Sequence, residues 1–256
     1  MNWQKNMIKK VVVSAAGQGT RMLELSENKS KHLIEVQKKP FLAYLLGNIL
    51  KAGYEEIILV VGFREDMIRE FLKSYDFRGI KVVNQFEILG PKEKEYGTAC
   101  PIKCVKNLVG NENFISLVGD NFYTVKDLKL MNIDDNYNYV AGVSNEHPEK
   151  FGVLVEDGDD FLDKIIEKPK EFVGNLINTS LYKFTPEIFE KVFQTEKSPR
   201  GEFEITDAIS LLAKEKKVKV KKMNDFWMDF GRPEDIEKLS KFLENDNNKA
   251  IAKSIK

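Results

Sequence analysis

The stretch that most constrains the fold of this chain is residues 11 to 31, where an apolar run breaks into a glycine-containing loop. Residues 11 to 13 are three consecutive valines, and a β-branched run of this kind predicts a strand buried on both faces. Gly17 and Gly19 then allow the backbone to turn sharply and to approach a ligand, so that main-chain N–H groups can face an anion. The stretch therefore predicts a phosphate-binding loop after a buried strand.

Two cations follow this turn and suit a triphosphate. Arg21 supplies a planar fork of donors for phosphate oxygens, and Lys31 supplies a mobile point charge. The dinucleotide fingerprint fits less well, because its third glycine would fall at Met22. A P-loop is absent, because Gly19 is followed by Thr20 and Arg21. For the two glycines alone, a purely structural turn stays open as the alternative.

The first half of the chain alternates apolar runs with amphipathic segments. The runs at 57 to 62, 79 to 85 and 114 to 118 predict strands, and the segments at 40 to 53, 64 to 75 and 97 to 108 predict helices. Strands that alternate with helices predict an α/β fold with an open, doubly wound, mainly parallel and Rossmann-like sheet.

The second half has a different pattern. Short strand-like runs are separated by Asp, Gly, Pro and Asn, and helices follow, which predicts a mixed or antiparallel part. Residues 217 to 222 alternate valine with lysine, as in an edge strand that is protected by charge. We expect one domain over residues 1 to 243, with halves of about 8 to 135 and 136 to 243, and a polar tail over 244 to 256.

Charge and composition restrict the classes of partner. Forty basic and forty acidic residues cancel, so nothing in the overall charge favours nucleic acid or a membrane surface, and any anion site must be local. No apolar run approaches the ~20 residues of a membrane span, and the N-terminal segment has no apolar core like that of a signal peptide. We expect a cytoplasmic protein and leave homo-oligomerisation open. Cys100 and Cys104 are interpreted as small buried helix residues, and neither His32 nor His147 has a neighbour that suggests a metal site.

The string AAGQGTR (residues 15 to 21), followed by Lys31, resembles the signature of the sugar-phosphate nucleotidylyltransferases, whose fold is that of the nucleotide-diphospho-sugar transferases. The joining segment lacks the Pro-x-Thr element and the proline that members often carry before the lysine. The resemblance implies catalytic roles for Arg21, Lys31 and Lys168. It also implies nucleotide contacts from Ala15, Ala16, Gly17, Gly19 and Thr20, and it makes the two halves a nucleotide half and a sugar-phosphate half.

Two further motifs of the family supply carboxylates. The segments VGDNF and WMDFGRPED resemble those in which members bind Mg²⁺, which implies that Asp120 and Asp229 are metal ligands here. Mg²⁺ keeps several waters and needs only one or two carboxylates beside substrate phosphates. Taken singly, each aspartate has a helix cap or a turn as its alternative.

The resemblance also implies a base site. Gln85, then Gly97 and Thr98 after an insert at residues 86 to 95, resemble the arrangement with which members read a pyrimidine. An amide can both donate to and accept from the imide edge of uracil or thymine, and a glycine lets a planar base approach the backbone. Tyr96 stands where members have leucine, and we interpret the charged insert as a flap. A surface glutamine at a strand end is the alternative for Gln85.

On the sugar side, Gly152, Glu167, Lys168 and Asn178 resemble residues that members place around the sugar and its phosphate. The asparagine begins an Asn-x-Gly-x-Tyr motif in family members, whereas this chain has Ser180 in place of the glycine. The segment 201 to 209 matches a helix start of the family, and there we interpret Asp207 as a helix N-terminal charge.

The resemblance as a whole implies Mg²⁺-dependent transfer of a nucleotidyl group from UTP or dTTP to a sugar 1-phosphate, with glucose 1-phosphate favoured. Two alternatives remain open at this point. One is a cytidylyltransferase that acts on phosphocholine or another phosphorylated alcohol, and the other is a non-catalytic regulatory relative that only binds nucleotide.

Overall fold

The computed structural model of the protein describes residues 7–17, 22, 25 and 29–245. Its strands are β1 (Lys10–Ala15), β2 (Glu35–Val36), β3 (Lys39–Pro40), β4 (Glu56–Val61), β5 (Ile80–Asn84), β6 (Phe114–Val118), β7 (Asn121–Phe122), β8 (Asn138–Ser144), β9 (Gly152–Glu156), β10 (Leu162–Glu167), β11 (Leu176–Phe184), β12 (Val218–Lys222) and β13 (Met228–Asp229). Its α-helices are α1 (Phe41–Lys51), α2 (Glu65–Lys73), α3 (Gln85–Leu89), α4 (Cys100–Val109), α5 (Val125–Leu130), α6 (Ile188–Gln194), α7 (Ile205–Lys214) and α8 (Glu234–Glu244).

One large sheet runs through the described part of the chain. Its first half is parallel, in the order β5-β4-β1-β6, as expected from alternating strands and helices. The sheet is mixed beyond β6, where β11 pairs antiparallel with β6, β8 and β9. β10 pairs antiparallel with β9, and the Val/Lys strand β12 pairs in parallel with β8. The predicted α/β class and the change of character in the second half are confirmed.

Helices cover both faces of this sheet. The alternating side chains of β1 divide between two apolar clusters, so that Val11 and Val13 pack on one face and Val12 on the other. The first cluster takes its helical residues from α1, α2, α5 and α8, and the second takes them from α4, α6 and α7. This double covering explains why β1 is a continuous valine run, and it holds the ends of the strands rigidly.

Predicted boundaries differ from those of the structure by up to three residues, and two of the differences have a clear local cause. The strand predicted over residues 79 to 85 is β5, and it ends at Asn84, one residue before the predicted end. The Asn84 side chain accepts a hydrogen bond of 2.8 Å from the Phe86 N–H and so caps α3. The fourth helix begins at Cys100 and not at Gly97, whose φ of 133° is not helical. Cys104 lies with Cys100 in this helix, and both are buried free thiols, as predicted. No helix within the described ranges has the length and apolar composition that crossing a bilayer requires.

Candidate active site

Two adjoining cavities lie at the carboxyl ends of the strands, where an open α/β sheet places its ligands. The inner cavity, of about 230 Å³, is lined by these predicted site residues: Ala16, Gly17, Lys31, Gln85, Gly97, Thr98 and Asp120. The outer cavity, of about 1150 Å³, is lined by these: Thr98, Gly152, Glu167, Lys168, Asn178 and Asp229. Ser180, Tyr182 and Ile205 also line both cavities, which therefore form one continuous cleft.

The inner cavity begins where β1 ends. A Cβ atom added to Gly17 would lie 3.6 Å from the Lys31 ammonium nitrogen, so the glycine and the lysine border the same space. Ala15, a predicted nucleotide contact, is 2% exposed and lines neither cavity, and a Cβ on Gly119 would come within 3.1 Å of it. The predicted contacts from Gly19, Thr20 and Arg21 lie outside the described residues.

An ion pair joins two of the predicted residues. The Lys31 ammonium donates to Oδ2 of Asp120, and both side chains are largely buried, at 10% and 17% exposure. His32, the next residue, also lines the inner cavity, and its Nδ1 lies 3.1 Å from the Ser30 hydroxyl oxygen. Burial, and then the charge of Lys31, lowers the pKa of His32 to about 3. His32 is therefore neutral at physiological pH and adds no positive charge beside Lys31.

A short antiparallel ladder brings the two predicted metal ligands together. β13 pairs with β7 so that Asp229 lies opposite Asn121, and the Phe230 N–H donates to the Asp120 carbonyl oxygen at 2.7 Å. Among the described residues, no group of three or more His, Cys, Asp or Glu side chains could form a closed metal site. The ladder thus makes Asp120 and Asp229 neighbours along the backbone, with Asp120 lining the inner cavity and Asp229 lining the outer one. Two carboxylates at an open cleft suit a hard cation that completes its coordination with water and phosphate oxygens.

Gln85 lies at the first position of α3 and is only 1% exposed, so it is not the surface glutamine of the alternative interpretation. Among the residues that the structure describes, neither its Oε1 nor its Nε2 atom has a hydrogen-bond partner. Buried polar atoms are nearly always paired, and an unpaired one costs about 1–3 kcal/mol. Because Gln85 lines the inner cavity, a ligand in that cavity is the natural source of the missing partners.

The glycine that follows the insert has a structural reason that differs from the predicted one. A Cβ on Gly97 would lie 2.3 Å from the carbonyl oxygen of Phe203, so close approach of two backbones excludes any side chain there. Its neighbour Thr98 donates to Glu204 at 3.1 Å and accepts from the Ile205 N–H at 2.9 Å, and so connects the cleft to the start of α7. The insert forms α3 and then a turn, anchored by an ion pair of 2.9 Å between Glu95 and Lys103. Its role as a flap stays a prediction.

The outer cavity joins β9 to the end of β10. Gly152 pairs across the two strands with Glu167, and a Cβ on Gly152 would lie 3.0 Å from the Glu167 carboxylate. Lys168 follows with a φ of 44°, and its ammonium group lies 3.9 Å from Glu167. Lys168 is 59% exposed, so this cation can move toward a bound ligand.

Arg200 and Trp227 are among the residues of the outer cavity that sequence reasoning missed. Arg200 lines the cavity and donates to Glu204 at 2.8 Å. It directly precedes the segment 201 to 209, and that position is the signal that could have identified it. Trp227 lines the same cavity and packs edge-on to Phe151 with ring centroids 5.8 Å apart, and its buried indole N–H has no partner in the part of the chain that the structure describes. Asp207 lies in the first turn of α7, as predicted.

Known proteins resemble this chain along most of its length. A family model described as Nucleotidyl transferase matches residues 10–246. The chain is 35% identical over 233 residues to the bifunctional protein GlmU of Methanocaldococcus jannaschii, covering 91% of this chain and 53% of that relative. It thus spans about half the length of several bifunctional relatives. It is 30% identical over 247 residues to the UTP–glucose-1-phosphate uridylyltransferase AglF of Haloferax volcanii, covering 93% of this chain and 98% of that protein.

Solved structures share the fold. The crystal structure of a UDP-glucose pyrophosphorylase complexed with UDP-glucose matches with a TM-score of 0.78 at 24% sequence identity. The match covers 92% of this chain and 98% of the other. At that level of identity the likeness establishes the architecture.

Proposed function

This chain belongs to the nucleotidyl transferase family, and we propose that it transfers a nucleotidyl group from a nucleoside triphosphate to a sugar 1-phosphate and releases pyrophosphate. The observation that carries the proposal is the continuous cleft. Its inner cavity offers a buried amide and a cation at Gln85 and Lys31, and its outer cavity offers a second cation at Lys168. Such a cleft suits two phosphorylated substrates that must meet.

We assign UTP or dTTP to the inner cavity. The imide edge of uracil or thymine presents a donor beside acceptors, which matches the unpartnered acceptor and donor of Gln85. Cytosine presents an amino group where uracil presents a carbonyl oxygen, and would leave the amide mismatched. The name of the AglF relative, which includes UTP and glucose 1-phosphate, supports this nucleotide and makes glucose 1-phosphate the favoured acceptor.

The transfer is an in-line displacement. A phosphate oxygen of the acceptor forms a bond to the α-phosphorus while the bond to the β-phosphate breaks, and the electron pair leaves with pyrophosphate. The nucleophile is already an anion, so the reaction needs positioning and charge neutralisation and no general base. Lys31, together with Arg21, would balance the leaving pyrophosphate, and Lys168 would hold the incoming phosphate against repulsion.

Asp120 and Asp229 would hold Mg²⁺, which supplies charge neutralisation at the phosphates when bound. The ion pair between Lys31 and Asp120 supports this assignment, because it shows that the carboxylate lies where a neighbouring cation is stabilised. A non-catalytic regulator would have no need for two carboxylates next to two cationic positions, which argues against that alternative.

The test is a matrix of substrates. Each nucleoside triphosphate is combined with glucose 1-phosphate, other sugar 1-phosphates and phosphocholine, with Mg²⁺ present, and pyrophosphate release is measured. We expect the highest kcat/KM for UTP or dTTP with a sugar 1-phosphate. The highest value for CTP with phosphocholine would favour the cytidylyltransferase alternative instead.

A further inference from the structure

Ser180 has an unusual backbone conformation at the junction of the two cavities. Its φ is 57°, in the left-handed region that side chains rarely adopt, at a point where the register of β11 against β8 shifts. The surroundings hold this conformation from several sides. The Thr179 carbonyl oxygen accepts from Tyr123 at 2.8 Å and from Asn121 at 3.1 Å, and the Ser180 N–H donates to the Asn178 side chain at 3.0 Å. The left-handed backbone at Ser180 is therefore held by neighbouring residues and does not depend on the Ser180 side chain.

The Ser180 side chain has another task, which is to orient the hydroxyl of Tyr182. That phenol oxygen accepts from the Asn178 amide at 2.9 Å, and the Ser180 hydroxyl lies beside it. Burial raises the pKa of Tyr182 to about 12, so the phenol keeps its proton throughout the physiological range. Within the described ranges, the Asn178 amide donates to this hydroxyl, so the phenol proton can be donated to a ligand in the cleft.

The place of this hydroxyl pair determines what it can contact. Ser180 and Tyr182 both line the inner and the outer cavity, so they lie where the two substrates would meet. In a sugar 1-phosphate, the carbon that bears the phosphate is bonded to C2. When the phosphate is at the junction, the C2 substituent is therefore close to it as well. A serine in place of glycine narrows this junction by a hydroxymethyl group and lines it with donors.

We infer that Ser180 is a specificity-determining residue, which makes the cleft select sugar 1-phosphates with a hydroxyl group at C2 over those with an acetamido group there. The inference rests on the proposed function. Ser180 acts in two ways: its side chain limits the space beside C2, and its hydroxyl directs the Tyr182 proton toward a small polar substituent.

The test uses two substitutions at this position. Ser180→Gly removes the whole side chain at a backbone conformation that glycine adopts freely, so the fold should be retained. The ratio of kcat/KM for glucose 1-phosphate to that for N-acetylglucosamine 1-phosphate should fall at least ~10-fold, the scale at which a pocket detects one or two missing atoms. Ser180→Ala keeps Cβ and loses only the hydroxyl, so its kcat/KM ratio should lie between that of the wild type and that of Ser180→Gly. The KM for the nucleoside triphosphate should not change in either variant.

Asp160→Gly is the matched control. Asp160 also has a left-handed backbone, with a φ of 60°, but it is exposed and lines neither cavity. Like Ser180→Gly, this control places glycine at a left-handed backbone position, and it should leave the kcat/KM ratio of the two sugar phosphates unchanged. A fall in the ratio of similar size in Asp160→Gly would overturn the inference, because general relief of strain would then explain the effect.

A binding measurement separates this inference from the proposed function. Calorimetric titration gives the dissociation constants of the two sugar phosphates for the wild-type protein and for Ser180→Gly. If pyrophosphate is released but Ser180→Gly leaves the kcat/KM ratio unaltered, or the wild type prefers the N-acetylated acceptor, the inference is wrong and the proposed function stands. If no acceptor gives pyrophosphate, the proposed function fails, and the inference holds only if Ser180→Gly still lowers the binding preference at least ~10-fold.

Discussion

At the scale of one residue, Gln85 is a buried amide whose unpaired polar atoms lower the stability of the protein unless a ligand forms hydrogen bonds with them. The capped start of α3 places this amide in the interior, where no other described residue forms a hydrogen bond with either of its polar atoms. A nucleobase that supplies both hydrogen bonds removes the penalty for the unpaired groups. A base that supplies only one of the two hydrogen bonds leaves part of this penalty in place.

We therefore predict that the wild-type enzyme prefers UTP to CTP by about tenfold to hundredfold in kcat/KM, which corresponds to one mismatched hydrogen-bonding group of ~1–3 kcal/mol. Gln85→Ala should reduce this preference without lowering the melting temperature, because it removes a buried amide that has no hydrogen-bond partner within the described ranges. Steady-state kinetics with both nucleotides and a thermal melt measure the two effects. Unaltered selectivity in the variant would mean that another residue reads the base.

Lys168 gives a second prediction at this scale. Its ion pair with Glu167 is exposed, and such pairs contribute little stability, so Lys168→Ala should fold normally. Loss of the ammonium group should raise the KM for the sugar 1-phosphate at least ~10-fold, since a charge-assisted contact to phosphate is lost, and should hardly affect the KM for UTP. Lys170→Ala, two residues away and outside the cleft, is the control. An equal loss of nucleotide affinity in Lys168→Ala would place Lys168 on the other side of the site.

At the scale of secondary-structure elements, a second acidic pair lies behind the site, where α5 meets the segment before β13. Asp127, in the first turn of α5, is 1% exposed, and its Oδ2 atom has no partner among the described residues. The Thr124 hydroxyl accepts from the Asp127 N–H at 3.3 Å and donates to Asp225 at 3.1 Å, which keeps the two carboxyl groups close. Burial first, and then Asp225, raises the pKa of Asp127 to about 6.

The raised pKa gives a stability prediction with a definite sign. Between about pH 4 and pH 6 the folded protein keeps a proton on Asp127 that the unfolded chain has lost, so the free energy of unfolding should fall as the pH rises through this range. The fall should be about 1–3 kcal/mol, and Asp127→Asn should remove it. Denaturant titrations at several pH values measure this slope. Asp76→Asn is the control, since Asp76 is largely exposed. A slope that persists in Asp127→Asn and equals that of the wild type would contradict the assignment.

The elements also show how far sequence reasoning extends. β1, β4 and α1 were predictable, because valine and isoleucine runs and the three- and four-residue periodicity of α1 depend on local sequence. The two-residue ladder of β7 with β13 was not, because it is too short for any periodicity and depends on contacts between distant segments. The requirement for glycine at position 97 was also not predictable, because the backbone that leaves no room for a side chain there belongs to the distant residue Phe203. Arg200 lies in a loop, where no periodicity marks its orientation.

For the whole molecule, a net charge of zero conceals strong local fields in the cleft. Lys31, Lys168 and Arg200 provide positive charge, and Asp120 and Asp229 provide negative charge. A triphosphate beside two carboxylates has too much like charge to bind productively without a metal cation.

We therefore predict that excess EDTA abolishes turnover and that added Mg²⁺ restores it, with the far-UV circular dichroism spectrum unchanged throughout. The unchanged spectrum would show that the cation acts in the reaction and is not needed for folding. Full activity in excess EDTA would exclude the metal role proposed for Asp120 and Asp229.

The most direct test of the central claim is the dependence of pyrophosphate release on the acceptor. Wild-type protein is incubated with Mg²⁺ and UTP, with and without glucose 1-phosphate, and pyrophosphate and UDP-glucose are measured together. If the continuous cleft joins two phosphorylated substrates, pyrophosphate will form only when both are present and in equal amount to the nucleotide sugar. Pyrophosphate release from UTP alone at the same rate, or no release with any sugar 1-phosphate, would contradict the account.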